Sequence, residues 1–220
     1  MARCRLNLVA VVLGCISLAA QVGAPERKVE GHAIVSKRDP AVRVEVPKSA
    51  QYVGADRWVL YDVADCELHA FVEADAQRRV QRLYWVQFEG YLPSKPDLKH
   101  TYDSPQHAEL GGLDFYVDTW VDDRNSRVTP GSDLEHILGL IHGKGLQMPD
   151  AMMYTRLVHL LDAQERKELM IIYAEDLAPT GLTAAQPQKG GEDYDRWPSI
   201  SRGLVQRAKN RVRVEAVKAQ

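Results

Sequence analysis

Cysteine is scarce in this chain of 220 residues, which contains three of them. Cys4 and Cys15 lie within the first 24 residues, so Cys66 is the only cysteine of the chain that follows. One cysteine cannot form an intramolecular disulfide, which excludes the disulfide-stapled class of small secreted domains. We interpret Cys66 as a small buried residue, because His69, three positions on in a predicted strand, points to the opposite face and cannot serve it as a base.

Recognisable catalytic and nucleotide-binding motifs are missing as well: there is no G-x-S-x-G, no H-E-x-x-H, no P-loop and no dinucleotide fingerprint. The seven histidines form no metal-ligand pattern. His136 and His142 are about 240° apart around a predicted helix. His100 and His107 flank a loop that contains Asp103, where solvated side chains are the simpler interpretation. We therefore predict no catalytic residues, no metal and no cofactor.

No apolar run long enough to span a membrane, which takes about 20 residues, occurs in the sequence. A shorter run, residues 6–20, follows Arg3 and Arg5 and precedes several small residues. This layout is typical of a secretory signal peptide, so we predict a signal over residues 1–24 and an exported protein, periplasmic or secreted. Two other outcomes stay open: acylation of Cys15 in the lipobox-like Val-Leu-Gly-Cys, and retention as an uncleaved anchor. Membrane contact is expected through this segment alone.

The chain also lacks an excess of positive charge. Residues 25–220 contain 26 basic and 30 acidic residues, a balance that argues against nucleic acid as a partner. Basic residues do gather near the C-terminus, where Glu215 is the only acid. They are Arg202, Arg207, Lys209, Arg211, Arg213 and Lys218. This end could meet an anionic surface, although a solvated helix face is the simpler explanation.

The rest of the sequence alternates apolar and polar residues over several stretches, a pattern that predicts strands. Residues 25–55 are polar, and we expect a tether there, in which residues 41–46 would add an edge strand. Residues 56–216 are expected to form a single domain. Its strands are predicted at residues 57–63, 66–74, 82–92, 111–123, 151–162 and 167–177. For residues 167–177 a helix stays open as the alternative, because Glu, Leu and Met favour helices.

Two helices complete the predicted domain. Ser132 and Glu135 form a capping box, followed by an i, i+3, i+4, i+7 apolar stripe within residues 134–141. A second helix is expected over about residues 199–214. Short links join most strands, which requires antiparallel pairing, and no repeated β-helix-β pattern occurs. We therefore predict an α+β fold: a curved, mainly antiparallel sheet of about six strands with two helices packed on one face.

The strand at residues 82–92 raises the question of function, because neither of its faces resembles a plain solvent face. One face, with Tyr84 and Phe88, matches the smoothly apolar sets of other strands and should lie under the helices. The other face would then mix aromatic and acidic side chains. Its predicted ligand-binding residues are His69, Trp85, Gln87, Glu89, Tyr91, Asp114, Tyr116, Asp118 and Trp120, with Tyr173 and Glu175 as further candidates.

Two interpretations of this surface stay open. It is either the hydrated face of an antiparallel sheet, where aromatic residues stabilise cross-strand pairs by about 0.2–1 kcal/mol each, or a cleft with aromatic walls and convergent polar groups, which suits a sugar or a cationic ligand. Our leading hypothesis is an exported, non-catalytic protein that binds a small molecule or an envelope protein there. The alternatives are a hydrolase that uses Glu89 with Asp118 or Glu73, and an envelope interaction protein without a pocket.

Overall fold

The structure, a computed structural model, describes residues 23–123 and 127–219. These residues form two antiparallel sheets and two α-helices. The strands are β1 (Lys28–Glu30), β2 (Ala33–Lys37), β3 (Ala41–Glu45), β4 (Gln51–Leu60), β5 (Ala64–Ala74), β6 (Val80–Tyr91), β7 (His107–Leu110), β8 (Leu113–Asp123), β9 (Ala151–Leu160), β10 (Lys167–Asp176) and β11 (Arg213–Ala216). The helices are α1 (Asp133–Gly143) and α2 (Trp197–Arg211). Nearly all of the predicted signal, including Cys15, lies outside the described residues, so signal cleavage and export stay predictions.

Seven strands form the larger sheet in the order β4-β5-β6-β10-β9-β8-β7, each antiparallel to its neighbours. The turn between β5 and β6 favours this pairing, because the Asp75 carboxylate accepts the backbone N–H of Gln77 at 3.0 Å and of Arg79 at 2.9 Å. The predicted α+β class and antiparallel pairing are confirmed. The predicted single sheet of about six strands is wrong, since the described residues form eleven strands in two sheets.

A second sheet, in the order β1-β2-β3-β11, packs on one face of the first. Residues 28–45, for which the sequence predicted a tether, supply three of its strands. The strand that we expected at an edge is β3, which lies between β2 and β11. The polar composition was misleading because a few alternating residues, Ile34, Val42 and Val44, are enough to bury one face of these short strands.

A buried ion pair attaches the N-terminal end of this second sheet to β5. The Arg27 guanidinium lies 3.0 Å from Glu67 Oε2, and Glu67 is 1% exposed. The same carboxylate accepts the backbone N–H groups of Glu26 and Arg27 at 2.9 and 2.8 Å. Burial opposes ionisation of Glu67, but hydrogen bonds from His69 and Arg27 outweigh it and lower the pKa of this carboxyl.

The two helices pack on opposite faces of the seven-stranded sheet. Helix α1 buries Ile137 and Ile141 against one face, which we call the α1 face. Helix α2 buries Leu204 and Ala208 against the other, the α2 face, together with the second sheet. The prediction that both helices share one face is therefore wrong. An apolar stripe shows which side of a helix is buried, but not which side of a sheet it meets, and β5, β6 and β10 are buried on both faces.

Helix α1 begins where the capping box predicted. The Ser132 hydroxyl accepts the N–H of Glu135 at 3.3 Å, and the Glu135 carboxylate accepts the N–H of Gly131 at 2.7 Å. Asp133 lies in the first turn, where the helix dipole favours a negative charge. Because α1 packs against β4 and β5, this start places Asp133 at the α1 face of the sheet.

Candidate functional site

Three carboxyl groups from separate elements come together on the α1 face. Strand pairing sets Glu89 of β6 directly opposite Glu168 of β10, and opposite Cys66 of β5 on its other side. Residues opposed in this way have Cβ atoms about 4.5–5.5 Å apart. Asp133, at the start of α1, is close enough to raise the pKa of both glutamic acids. We call Glu89, Asp133 and Glu168 the acidic site.

Burial keeps the acidic site close to neutral. Glu168 is 2% exposed, and burial, followed by the charge of Glu89, raises its pKa to about 8. Burial and the charge of Asp133 raise the pKa of Glu89 to about 7, and burial also raises the pKa of Asp133. A low-dielectric surrounding disfavours the charged form of each group, and neighbouring like charges disfavour it further. At pH 7 Glu168 is therefore mostly protonated and Glu89 about half protonated.

Two side chains from the loop between β6 and β7 hold Glu168. The Tyr102 hydroxyl donates to Oε2 of Glu168 at 2.6 Å, and Nδ1 of His100 lies 3.0 Å from the same atom. Burial lowers the pKa of His100 to about 4, so the imidazole and the carboxyl are both neutral near pH 7.

A chain of hydrogen bonds along β6 fixes Glu89. Trp85 Nε1 donates to Gln87 Oε1 at 3.0 Å, and Gln87 Nε2 donates to Glu89 Oε2 at 3.2 Å. Gln87 is fully buried and also hydrogen-bonds Asp133. This amide therefore links and orients two of the three members of the acidic site.

A strip of half-buried aromatic and charged side chains from β8 and β9 continues the α1 face. Arg156 donates to Asp118 Oδ2 at 2.6 and 3.2 Å, and its guanidinium lies 5.1 Å from the centroid of the Tyr102 ring. The rings of Trp120 and Tyr154 stack in parallel with centroids 5.0 Å apart. The hydrogen bonds of Arg156 are thus made to Asp118 and not to the acidic site.

The middle of the α1 face is almost closed to solvent. Helix α1 packs over β4 and β5, and Trp85, Met170 and Ile172, on the central strands, are each only 5–6% exposed. A cleft of about 270 Å³ lies on the other side of the sheet, the α2 face, where Arg27, Glu67 and Phe88 line it, and it reaches the end of β6 at Glu89 and Tyr91. Its cationic wall is neutralised by the pairs Arg27–Glu67 at 3.0 Å, Arg57–Asp65 at 2.6 Å and Lys167–Asp39 at 3.0 Å.

Most of the predicted surface does lie on this face. Strand registers place one set from β6 and one from β8 on the same side of the sheet, with β10 and β9 between them. The sets are Trp85, Gln87, Glu89 and Tyr91, and Asp114, Tyr116, Asp118 and Trp120. Asp114 lies apart, at the outer edge, with its carboxylate 2.9 Å from His107. The role of these residues in binding stays a prediction.

His69 lies on the opposite face, so its grouping with Trp85 was wrong. It pairs directly with Val86, and its ring contacts Glu67 at 2.9 Å in the α2-face core. Tyr173, Glu175 and Glu73 also lie on the α2 face, because they oppose Tyr84 and Arg82. The error arose because β5 is apolar on both sides, so alternation alone did not show which set faces which helix. The carboxyl group beside Glu89 is consequently Glu168.

Sequence reasoning missed two of the three residues of the acidic site, Asp133 and Glu168, and both of its loop contacts, His100 and Tyr102. Glu168 lies in a predicted strand, but its pairing with Glu89 joins strands that are about 80 residues apart in the chain. The position of Asp133 was partly predictable, since it follows the capping serine of a predicted helix. The positions of His100 and Tyr102 were not, because the sequence of a polar loop does not show where the loop folds back.

Within residues 23–123 and 127–219, no group of three or more His, Cys, Asp or Glu side chains is arranged to hold a metal ion. In the same residues, no helix has the length and apolar character needed to cross a membrane. Comparison of the chain with models of known protein families, with curated proteins and with solved structures found no match.

Proposed function

We propose that this protein is an exported, non-catalytic binding protein that takes a small organic cation at the acidic site. The observation that supports this most directly is an imbalance of charge. Three carboxyl groups converge on the α1 face, and among the described residues no lysine or arginine hydrogen-bonds Glu89 or Glu168. The cations of the neighbouring cleft, in contrast, are each paired with a carboxylate.

A ligand cation would supply the charge that the site lacks. Ionised carboxylates are costly in a desolvated place unless an opposite charge lies nearby. Aromatic rings around the site, Tyr91, Tyr102 and Tyr116, are half-buried. Ring faces attract positive groups, as the Arg156 guanidinium over Tyr102 shows. Small-ligand sites commonly combine aromatic walls with a few convergent polar groups in this way.

Binding of a cation should release protons. At pH 7 the ligand-free site holds a proton on Glu168 and about half a proton on Glu89, given pKa values of about 8 and 7. A cation favours the ionised forms, so about one proton should leave for each ligand bound. A neutral ligand should release none.

Isothermal titration calorimetry at pH 7 tests both points. The probes are spermidine and glucosamine, with glucose as the uncharged counterpart of glucosamine, in phosphate and in MOPS buffer, neither of which is a cation. We expect binding of a cationic probe with a heat that depends on the buffer, and no binding of glucose. The variant Glu89→Gln/Glu168→Gln should lose binding, whereas Glu109→Gln, on the exposed side of β7, should keep it. If neither cation binds, or if the double variant binds as wild type does, the proposal fails.

A carboxylate-dependent hydrolase is the second candidate, and the adjacency of Glu89 and Glu168 favours it. Two carboxyl groups with pKa values near 7 and 8 could act as acid and base near neutral pH, and paired carboxylates run glycoside hydrolysis. The binding proposal ranks first because Glu168 is engaged by Tyr102 and His100. Turnover of chromogenic glycosides that both Glu89→Gln and Glu168→Gln abolish would reverse this order.

A further inference from the structure

Five residues of the loop between β6 and β7, residues 99–103, reach the acidic site; we call them the flap. The chain before and after the flap is held by contacts that do not involve the flap. Before the flap, the Arg166 guanidinium donates to five backbone carbonyls, those of Tyr91, Leu92, Lys95, Pro96 and Leu98. After it, the N–H of Val117 donates to the carbonyl of Gln106 at 2.9 Å. The flap can therefore change position while the flanking strands stay in place.

Both inward side chains of the flap meet one carboxyl group. Of its side chains, His100 is buried, Tyr102 is half-buried and the other three are exposed. His100 and Tyr102 both contact Oε2 of Glu168, at 3.0 and 2.6 Å. Their rings also lie against Tyr91 and Tyr116, with centroids 4.5 and 5.8 Å apart. Glu165 pairs with Lys99 at 2.8 Å, and its backbone carbonyl accepts the N–H of His100 at 2.7 Å.

Burial and two neighbouring acids oppose ionisation of Glu168 beneath the closed flap. The charged and titratable groups that face it are Glu89 from β6, Asp133 from α1, Arg156 from β9, and His100 and Tyr102 from the flap. The two acids repel a negative charge and the imidazole is neutral. The Tyr102 hydroxyl and Arg156, which is bonded to Asp118, favour the charge, but burial and the acids outweigh them. Opening the flap would admit water to Glu168 and make its ionised form less costly.

The closed flap also has an unfavourable feature of its own. Nε2 of His100 is buried and has no hydrogen-bond partner among the described residues. A buried polar nitrogen without a partner is costly, so the closed position is only moderately favoured and a change at Glu168 can reverse it.

We propose that the flap is a proton-controlled cover of the acidic site, closed while Glu168 is protonated and open once Glu168 has lost its proton to solvent. Opening separates His100 and Tyr102 from the carboxylate and exposes the acidic site. That this regulates entry of a cation rests on the proposed function. The response of the flap to pH does not, since it involves no ligand.

Amide hydrogen exchange on the ligand-free protein, followed by NMR at pH 6, 7 and 8, tests the proposal. Exchange rates are divided by the intrinsic rate at each pH, which gives protection factors. We expect protection of the His100 amide, which hydrogen-bonds to the Glu165 carbonyl, to fall at least about tenfold between pH 6 and pH 8, because linkage allows up to about tenfold for each pH unit. Protection of β5 and β10 should stay higher than that of the flap throughout.

Two variants decide the cause of this response. Glu168→Gln keeps a neutral side chain that can still donate to His100, so its flap should stay protected at every pH. Glu165→Gln removes a surface carboxylate that contacts the same flap, and it should keep the wild-type response. Wild-type protection that does not change with pH, or a Glu168→Gln variant that responds as wild type does, would overturn the proposal.

Direct titration of Glu168 gives a second measurement that does not depend on a glutamine variant. Carbon-13 NMR of the carboxyl group should give a pKa well above the ordinary value in wild type. In His100→Ala, where the flap loses its buried side chain, this pKa should fall by at least about one pH unit. An unchanged pKa would show that the flap does not control ionisation of Glu168. Because neither measurement includes a ligand, their failure would leave the calorimetric test of cation binding unaffected.

Discussion

Replacing Glu168 by glutamine tests how the acidic site is built. The amide has the shape of the protonated acid: its nitrogen, in the place of Oε2, can donate one hydrogen to the Tyr102 hydroxyl and the other toward Nδ1 of His100, the two contacts made at 2.6 and 3.0 Å. Unlike the acid, it cannot ionise. We expect Glu168→Gln to match wild type in free energy of unfolding near pH 5 and to exceed it at pH 8.5.

The size of the effect follows from the pKa of Glu168, which rises from an ordinary 4.5 to about 8 on folding. As the pH rises through this interval, the unfolded chain loses the proton before the folded one does, so ionisation favours the unfolded state. At about 1.4 kcal/mol for each pH unit, wild type loses up to about 5 kcal/mol relative to the variant. Opening of the flap would limit the loss, because it lets the carboxylate regain water.

Urea unfolding followed by tryptophan fluorescence at pH 5, 6, 7, 8 and 8.5 measures this difference. His100 acts in the opposite direction below about pH 6.5, because its pKa is lowered to about 4 on folding and stability therefore rises with pH there. His100 is present in both proteins, so the difference between their curves isolates Glu168. A difference that stays constant from pH 5 to pH 8.5 would mean that Glu168 has an ordinary pKa, and the reasoning about the acidic site would be refuted.

Three further substitutions test the framework around the site. Arg27→Ala should lower the free energy of unfolding at pH 7 by about 3–5 kcal/mol, because it leaves Glu67, which is 1% exposed, as an unpaired buried charge. As a control in the same urea assay, Arg38→Ala, which removes an exposed ion pair, should cost under about 1 kcal/mol. The pKa of Glu67 is lowered on folding, so its ionic contribution should disappear as the pH falls below about 4. Trp85→Ala should cost about 3–5 kcal/mol, since Trp85 is 6% exposed; an unchanged melting temperature would place it outside the core. Ser132→Ala should cost about 1 kcal/mol through the lost cap of α1, which thermal unfolding by circular dichroism measures.

The structure gives Trp85 a different place from the one that the sequence predicts. From sequence alone, Trp85 is a predicted ligand-binding residue on the mixed aromatic and acidic face. In the structure it packs in the α1-face core and donates to Gln87 at 3.0 Å. An aromatic residue that alternates with polar ones in a strand can be buried when a helix covers that face.

The elements themselves were largely readable from the sequence. The capping box at Ser132 places the start of α1 correctly, and alternation indicates β5, β6, β8, β9 and β10 within a few residues. The short strands were harder to detect. The three residues of β1 and the four of β7 are too few to establish a period of two, and β11 follows α2 so closely that its residues continued the predicted helix.

What the sequence alone determined was local: where the chain forms strands and helices, and that neighbouring strands pair as hairpins. The tertiary structure decided which distant groups meet. Glu89 is adjacent to Glu168 because β6 pairs with β10, and Asp133 joins them because α1 packs on that face. No local pattern encodes these contacts. The alternation of side chains along a strand shows which residues share a face, but not which neighbour that face packs against. Burial of the glutamic acids, and with it their raised pKa values, therefore exists only in the assembled fold.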